Sequence, residues 1–129
     1  MCITGPAAAP AAIEVTFSEE TATVLISGEL DLVTMAFLAD QLTLIARRAP
    51  RQIVFDLALA SFMDCGSARQ IAAAGQLLPD RPRPVIRHAR PVVRRIFELS
   101  GLDSLCELED SLGAGQQTRE ERADERLGP

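Results

Sequence analysis

Three cysteines, a single histidine and a scatter of carboxylates are the side chains of this 129-residue sequence that could do chemistry. Cys65 is the most suggestive of them. It follows Asp64, a residue suited to capping a helix, so its sulfur is expected at the first helical position, where unpaired backbone N–H groups favour a thiolate. A thiol so placed can serve as a redox sensor, with Cys106 as its partner. The competing reading is a small packed side chain, because free cysteines are among the most buried residues. Pairing of Cys65 with Cys106 would close a long loop and needs Cα atoms within about 7 Å. Against an oxidoreductase stands the lack of any Cys-x-x-Cys motif. His88 cannot by itself furnish a multi-histidine metal site and has no sequence neighbour suited to a catalytic triad. Cys2, Cys65 and Cys106 show none of the close pairings that zinc sites use, so neither a metal nor an organic cofactor is expected.

The charge pattern narrows the classes further. All 13 cations are arginine, so a Schiff-base lysine, a P-loop lysine and a lysine general base are excluded. A net charge of −5 argues against nucleic acid as a direct partner, since phosphate binding relies on clustered cations. Arg81, Arg83, Arg87, Arg90, Arg94 and Arg95 do concentrate in one stretch. A solvated face is the commoner meaning of such a run, and an acidic partner surface the alternative.

The elements that must position these residues read as one α/β domain, and 47% apolar residues suffice for one core. Residues 1–12, rich in Ala and Pro, read as a loose leader, and 13–110 as the domain. Residues 111–129 read as a charged tail poor in apolar side chains. The apolar run from Ala7 to Ile13 is too short for a membrane span and lacks the basic flank of a secretory signal, so a cytoplasmic location is expected. Ile13, Val15 and Phe17 alternate with polar residues as in an edge strand, and Ser18 to Thr21 turn the chain into a second strand at Ala22 to Ile26. Met35, Leu38, Leu42 and Ile45 then give one face of a helix with Thr34 as N-cap, ending near Ala49 and Pro50. Ile53 to Phe55 form a strand. Asp64 opens a helix carrying Ala68, Ile71, Ala72, Gly75 and Leu78. Val85 and Ile86 form another strand, Val92 to Leu99 a third helix ending at Gly101, and Leu105 to Leu108 the last strand. Strands alternating with helices imply parallel crossovers behind an antiparallel N-terminal hairpin, that is, a mixed sheet with helices packed on its parallel part.

Two segments, in this order of elements, resemble the STAS domain of bacterial anti-sigma factor antagonists. They are Ser27-Gly28-Glu29-Leu30-Asp31, and Val54-Phe55-Asp56-Leu57 followed by Ser61-Phe62-Met63-Asp64-Cys65-Gly66. The likeness spans roughly residues 13 to 110. It implies a protein without enzymatic activity that binds a kinase-like anti-sigma factor and thereby frees a sigma factor to promote transcription. It further implies a switch, in which that kinase phosphorylates a Ser or Thr directly after the aspartate matching Asp64. Here that position is Cys65, and the family's glycine is displaced to Gly66, ahead of Ser67. In a parallel sheet, partners meet the loops at the carboxyl ends of the strands, so Gly28, Glu29 and Asp31 with Phe62, Met63, Asp64, Cys65, Gly66 and Ser67 form the expected docking patch. Asp31 could equally cap the following helix, and Asp56 inside an apolar strand is expected to be structural. A thiol-based sensor using Cys65 and Cys106, and a scaffold or small-ligand sensor on the same domain, stay open as alternatives. So does the oligomeric state.

Overall fold

The computed structural model describes residues 11–109. Ala12–Ser18 (β1) and Thr21–Leu30 (β2) form an antiparallel hairpin in which Ser18 faces Thr21 across a two-residue turn. The period-two pattern of Ala22, Val24, Ile26 and Leu30 sends one face of β2 into the core, while Thr21, Thr23, Leu25 and Ser27 stay half-buried on the other. A short 3-10 turn, Leu32–Thr34, leads into helix α1, Met35–Arg48, whose buried stripe is Leu38, Leu42 and Ile45. Ala49 ends it in the left-handed region (φ 49°), just before Pro50.

Then come β3 (Gln52–Met63), α2 (Cys65–Ala72), a 3-10 turn (Ala74–Leu77), β4 (Val85–Arg87), α3 (Pro91–Leu99), a 3-10 turn (Leu102–Ser104) and β5 (Glu107–Leu108). The sheet runs β1-β2-β3-β4-β5, antiparallel only between β1 and β2. One continuous core joins the inward residues of the sheet, Val24, Ile26, Phe55, Leu57 and Ile86, to the helix residues Leu38, Ile71, Val93 and Phe97. The expected mixed α/β sheet is therefore the observed one, with β1 at its edge.

Several boundaries differ from expectation, each for a local reason. The leader and tail fall outside the described residues except that β1 starts at Ala12, one residue early, and Glu109 closes the described chain. Thr34 does precede α1, but its hydroxyl points back to Asp31 and makes no cap for that helix. The helix opened by Asp64 ends at Ala72 and does not reach Leu78, because the chain tightens to a 3-10 turn around Gly75. There the Pro82 carbonyl lies where a Cβ would stand, so only glycine fits. Finally, Ser27 to Leu30 and Leu59 to Met63, expected in loops, are the last residues of β2 and β3.

Candidate protein-docking site

β2 and β3 run parallel to their ends, where Leu30 pairs with Met63. The Asp64 N–H donates to the Leu30 carbonyl at 3.1 Å, tying together the two segments singled out in the sequence. Both chains then leave the sheet through an aspartate cap. Asp31 Oδ1 accepts the Val33 N–H at 3.0 Å while the Thr34 hydroxyl oxygen accepts the Asp31 N–H at 3.1 Å. Asp64 Oδ1 accepts the Ser67 N–H at 2.8 Å, as its place before α2 requires. The starts of α1 and α2 are also locked side by side, since Gln70 Nε2 donates to the Met35 carbonyl at 3.0 Å and Met35 Sδ packs over Gly66.

The register of β2 against β3 shifts twice, between Leu25 and Ser27 and between Gly28 and Glu29, each shift taking one extra residue on β3. Gly28, at φ 85°, carries the second shift in a conformation other residues adopt at a cost. The two bulges keep Ala60 and Met63 in the core and turn Leu59, paired with Ser27, and Phe62, paired with Glu29, outward. Beside them the 3-10 turn presents Leu32 and Val33, the most exposed large apolar side chains described. One end of the sheet thus carries Leu59, Phe62, Leu32 and Val33 around Asp31, Asp64 and Cys65. Apolar side chains held in the open on a rigid frame suit contact with another protein.

Not every residue expected at this surface reaches it. Gly28, Met63 and Ser67 are buried, Gly28 by the alternation of β2, Met63 because the second bulge returns it to the core, and Ser67 because it sits on the inner face of α2. They shape the site from beneath. Glu29 and Gly66 are partly accessible, and Asp31, Phe62, Asp64 and Cys65 line the rim. Cys65 begins α2 as expected, yet it is exposed and not a packed thiol. Its sulfur accepts a hydrogen bond from the Ser100 hydroxyl at 3.6 Å. Leu32, Val33 and Ser100 were not singled out in the sequence. An apolar pair between a strand and a helix signals only a turn, and Ser100 is 35 positions from Cys65.

The remaining chemical groups are engaged elsewhere. Cys106 lies in the core, its thiol donating to the Leu102 carbonyl at 3.4 Å, and burial pushes its pKa up to about 11. A thiol that keeps its proton is a poor nucleophile, which weighs against a Cys65 and Cys106 redox pair. Asp56 accepts the Ala58 N–H at 3.1 Å and lies 3.3 Å from His88 Nδ1, so His88 has a partner that its sequence neighbours did not reveal. Much of the arginine run is likewise held internally: Arg83 by the Cys106 carbonyl, Arg87 by Glu109, Arg90 by the Ala58 carbonyl and Arg94 by Glu98. Among the described residues no group of three or more His, Cys, Asp or Glu could hold a metal ion, and no helix is long and apolar enough to cross a membrane. An apolar groove does occur, but between β1 and α1, lined by Val15, Phe17, Leu44 and Arg48.

A five-stranded mixed sheet with three helices, and with Leu32, Val33, Leu59 and Phe62 exposed near one end of it, defines a small α/β domain. A family model described as "Mlab, STAS domain" matches residues 13–109, and the chain belongs to the STAS-domain family. Solved structures agree on the fold. An anti-sigma factor antagonist from Mycobacterium paratuberculosis superposes with a TM-score of 0.72 at 24% identity, covering 85% of this chain and 92% of that one. The anti-sigma factor antagonist SpoIIAA in its unphosphorylated form gives 0.65 at 20% identity, over 77% of this chain and 89% of that one. The Bacillus cell fate determinant SpoIIAA in its phosphorylated form gives 0.59 at 20% identity, over 77% and 92%. No curated protein sequence matches the chain significantly.

Proposed function

We propose that this chain is an anti-sigma factor antagonist: a docking regulator without enzymatic activity that binds a kinase-like anti-sigma factor in the cytoplasm and so releases a sigma factor for transcription. The observation that carries the reading is the bond from the Asp64 N–H to the Leu30 carbonyl, which makes one rigid rim of two strand ends and two helix starts. That rim bears Leu32, Val33 and Phe62 in the open, flanked by Asp31 and Asp64. A preformed apolar patch with a charged margin loses little entropy on docking and selects its partner through the margin. Two of the structural neighbours are named as anti-sigma factor antagonists, which supports the same role here. The contact set is Glu29, Asp31, Leu32, Val33, Phe62, Asp64, Cys65 and Gly66. With a thiol at residue 65 and Ser67 buried, a switch at the family's own acceptor position is absent.

The test is recovery of proteins bound to the tagged chain from its native cytoplasm in reducing buffer, followed by reconstitution with the purified partner. The expected result is a kinase-fold anti-sigma factor whose sigma factor is displaced as the chain is added. A partner that holds its sigma factor equally well at saturating chain would overturn the reading.

A further inference from the structure

Strand β1 closes the sheet with one side open. Among the described residues, Ala12–Ser18 pairs with β2 alone, so its other row of backbone N–H and C=O groups has no strand against it. The devices that usually blunt such an edge are missing. The strand is 7 residues long, contains no proline, pairs with β2 without a register shift and carries a single charge, Glu14. Apolar surface lies along the same edge. Val15 and Phe17 point toward α1, where Gln41, Leu44 and Arg48 complete an open groove, and the Arg48 guanidinium stands 4.1 Å over the Phe17 ring. Phe37 lies on the same stripe of α1, two turns before Leu44, and the two side chains are 46% and 52% exposed. Glu14 and Thr16 alternate with the inward residues and face the other side of the sheet.

We infer that this edge is where two copies of the chain meet: β1 pairs antiparallel with β1 of the second copy about a two-fold axis through Val15, and the two sheets run on as one. The surface is separate from the docking rim. A centre at Val15 pairs the whole strand, Ala12 with Ser18 and Ile13 with Phe17 across the axis, and keeps inward residues opposite inward residues. It also sets Glu14 against Thr16 of the second copy, whereas a centre at Glu14 would oppose two like charges. The charges of α1 fit the same axis. As the crossover from β2 to the parallel β3, α1 runs parallel to β1, so the axis brings the Arg47 and Arg48 end of one α1 toward the Asp40 end of the other. Neither Asp40 nor Arg47 has an ion pair among the described residues. The edge spans only about 24 Å, so the dimer forms at micromolar and not nanomolar chain. Its two docking rims point in opposite directions and both stay open.

Sedimentation equilibrium of the full chain from micromolar to millimolar concentration tests this, with Thr16→Glu and Thr16→Arg as variants at an exposed position of β1. The expected result is a monomer–dimer equilibrium. Thr16→Glu should weaken it at least tenfold by setting a second carboxylate against Glu14 on both sides of the axis, and Thr16→Arg should strengthen it by offering each Glu14 a guanidinium. Thermal midpoints near that of the parent chain, measured at low concentration, show that both variants fold. Backbone amides of β1 should exchange more slowly with deuterium as the concentration rises. A chain that stays monomeric to millimolar concentration overturns the inference, and so does a dimer that both variants leave unchanged. No anti-sigma factor enters the measurement, so either failure leaves the docking reading intact.

Discussion

Replacing Leu32 and Val33 together by alanine strips the docking rim of its most accessible apolar surface without touching the core. The two side chains are 77% and 85% exposed in the free chain, so most of their transfer free energy is still to be gained on binding. Full burial of a Leu or Val side chain is worth about 1.5–3 kcal/mol, of which alanine retains part. With incomplete coverage by a partner, the pair should contribute about 2 kcal/mol, a loss of about 30-fold in affinity. Folding should hardly notice. The cap that Val33 makes to Asp31 uses its backbone N–H, which alanine keeps, and surface substitutions of this kind usually stay within about 0.5 kcal/mol. Titration calorimetry against the anti-sigma factor reads the affinity, and urea denaturation reads the stability. An unchanged Kd in a normally folded double variant would refute the assignment of this end of the sheet as the interface.

Two further outcomes separate roles that the structure superimposes. Asp31→Asn keeps an acceptor for the Val33 N–H but removes the charge, whereas Asp31→Ala removes both and should cost about 1 kcal/mol of stability; weaker binding by the Asn variant at an unchanged thermal midpoint marks the charge as a contact, and equal binding leaves Asp31 with capping alone. For Cys106, the thiol ionises near 9.0 when unfolded but holds its proton to about 11 in the folded chain. The folded state therefore binds more protons between those values, so stability is intact below pH 9 and falls by about 2–3 kcal/mol as pH rises to about 11. Denaturation midpoints across that range should fall less steeply in Cys106→Ala, and the same slope in both chains would show that another group is responsible.

How much of this was legible in the sequence depended on the range of the interaction. The hairpin, the inward stripe of α1 and the Asp64 cap are local, and alternation or capping chemistry exposes them directly. The end of β3 was missed because the bulges break the period-two rule: Leu59, Ala60, Ser61, Phe62 and Met63 do not alternate, although all are strand; the end of β2 does alternate in burial, but Ser27, Gly28 and Glu29 are not strand-forming residue types. Contacts across the fold were hidden for a different reason. His88 meets Asp56 from 32 positions away, and Ser100 meets Cys65 from 35, only because the parallel sheet stacks their elements. The exposure of Cys65 was misjudged on residue type, since its place at the start of α2, with its sulfur against Ser100 at the surface, overrides the tendency of cysteine to pack.

The paired bulges in β3 also separate two kinds of freedom along one strand. In a regular strand, adding or removing a residue inverts every side chain beyond it, so surface and core cannot vary independently. Here each bulge absorbs one residue locally, and Ala60 and Met63 keep their inward stations on either side of the outward Phe62. The outward positions Leu59, Ser61 and Phe62 can then be exchanged for other shapes and charges while the interior sees no difference. A single fold can in this way carry many different partner preferences, and a designer seeking to redirect this chain to a new partner would begin with those three residues.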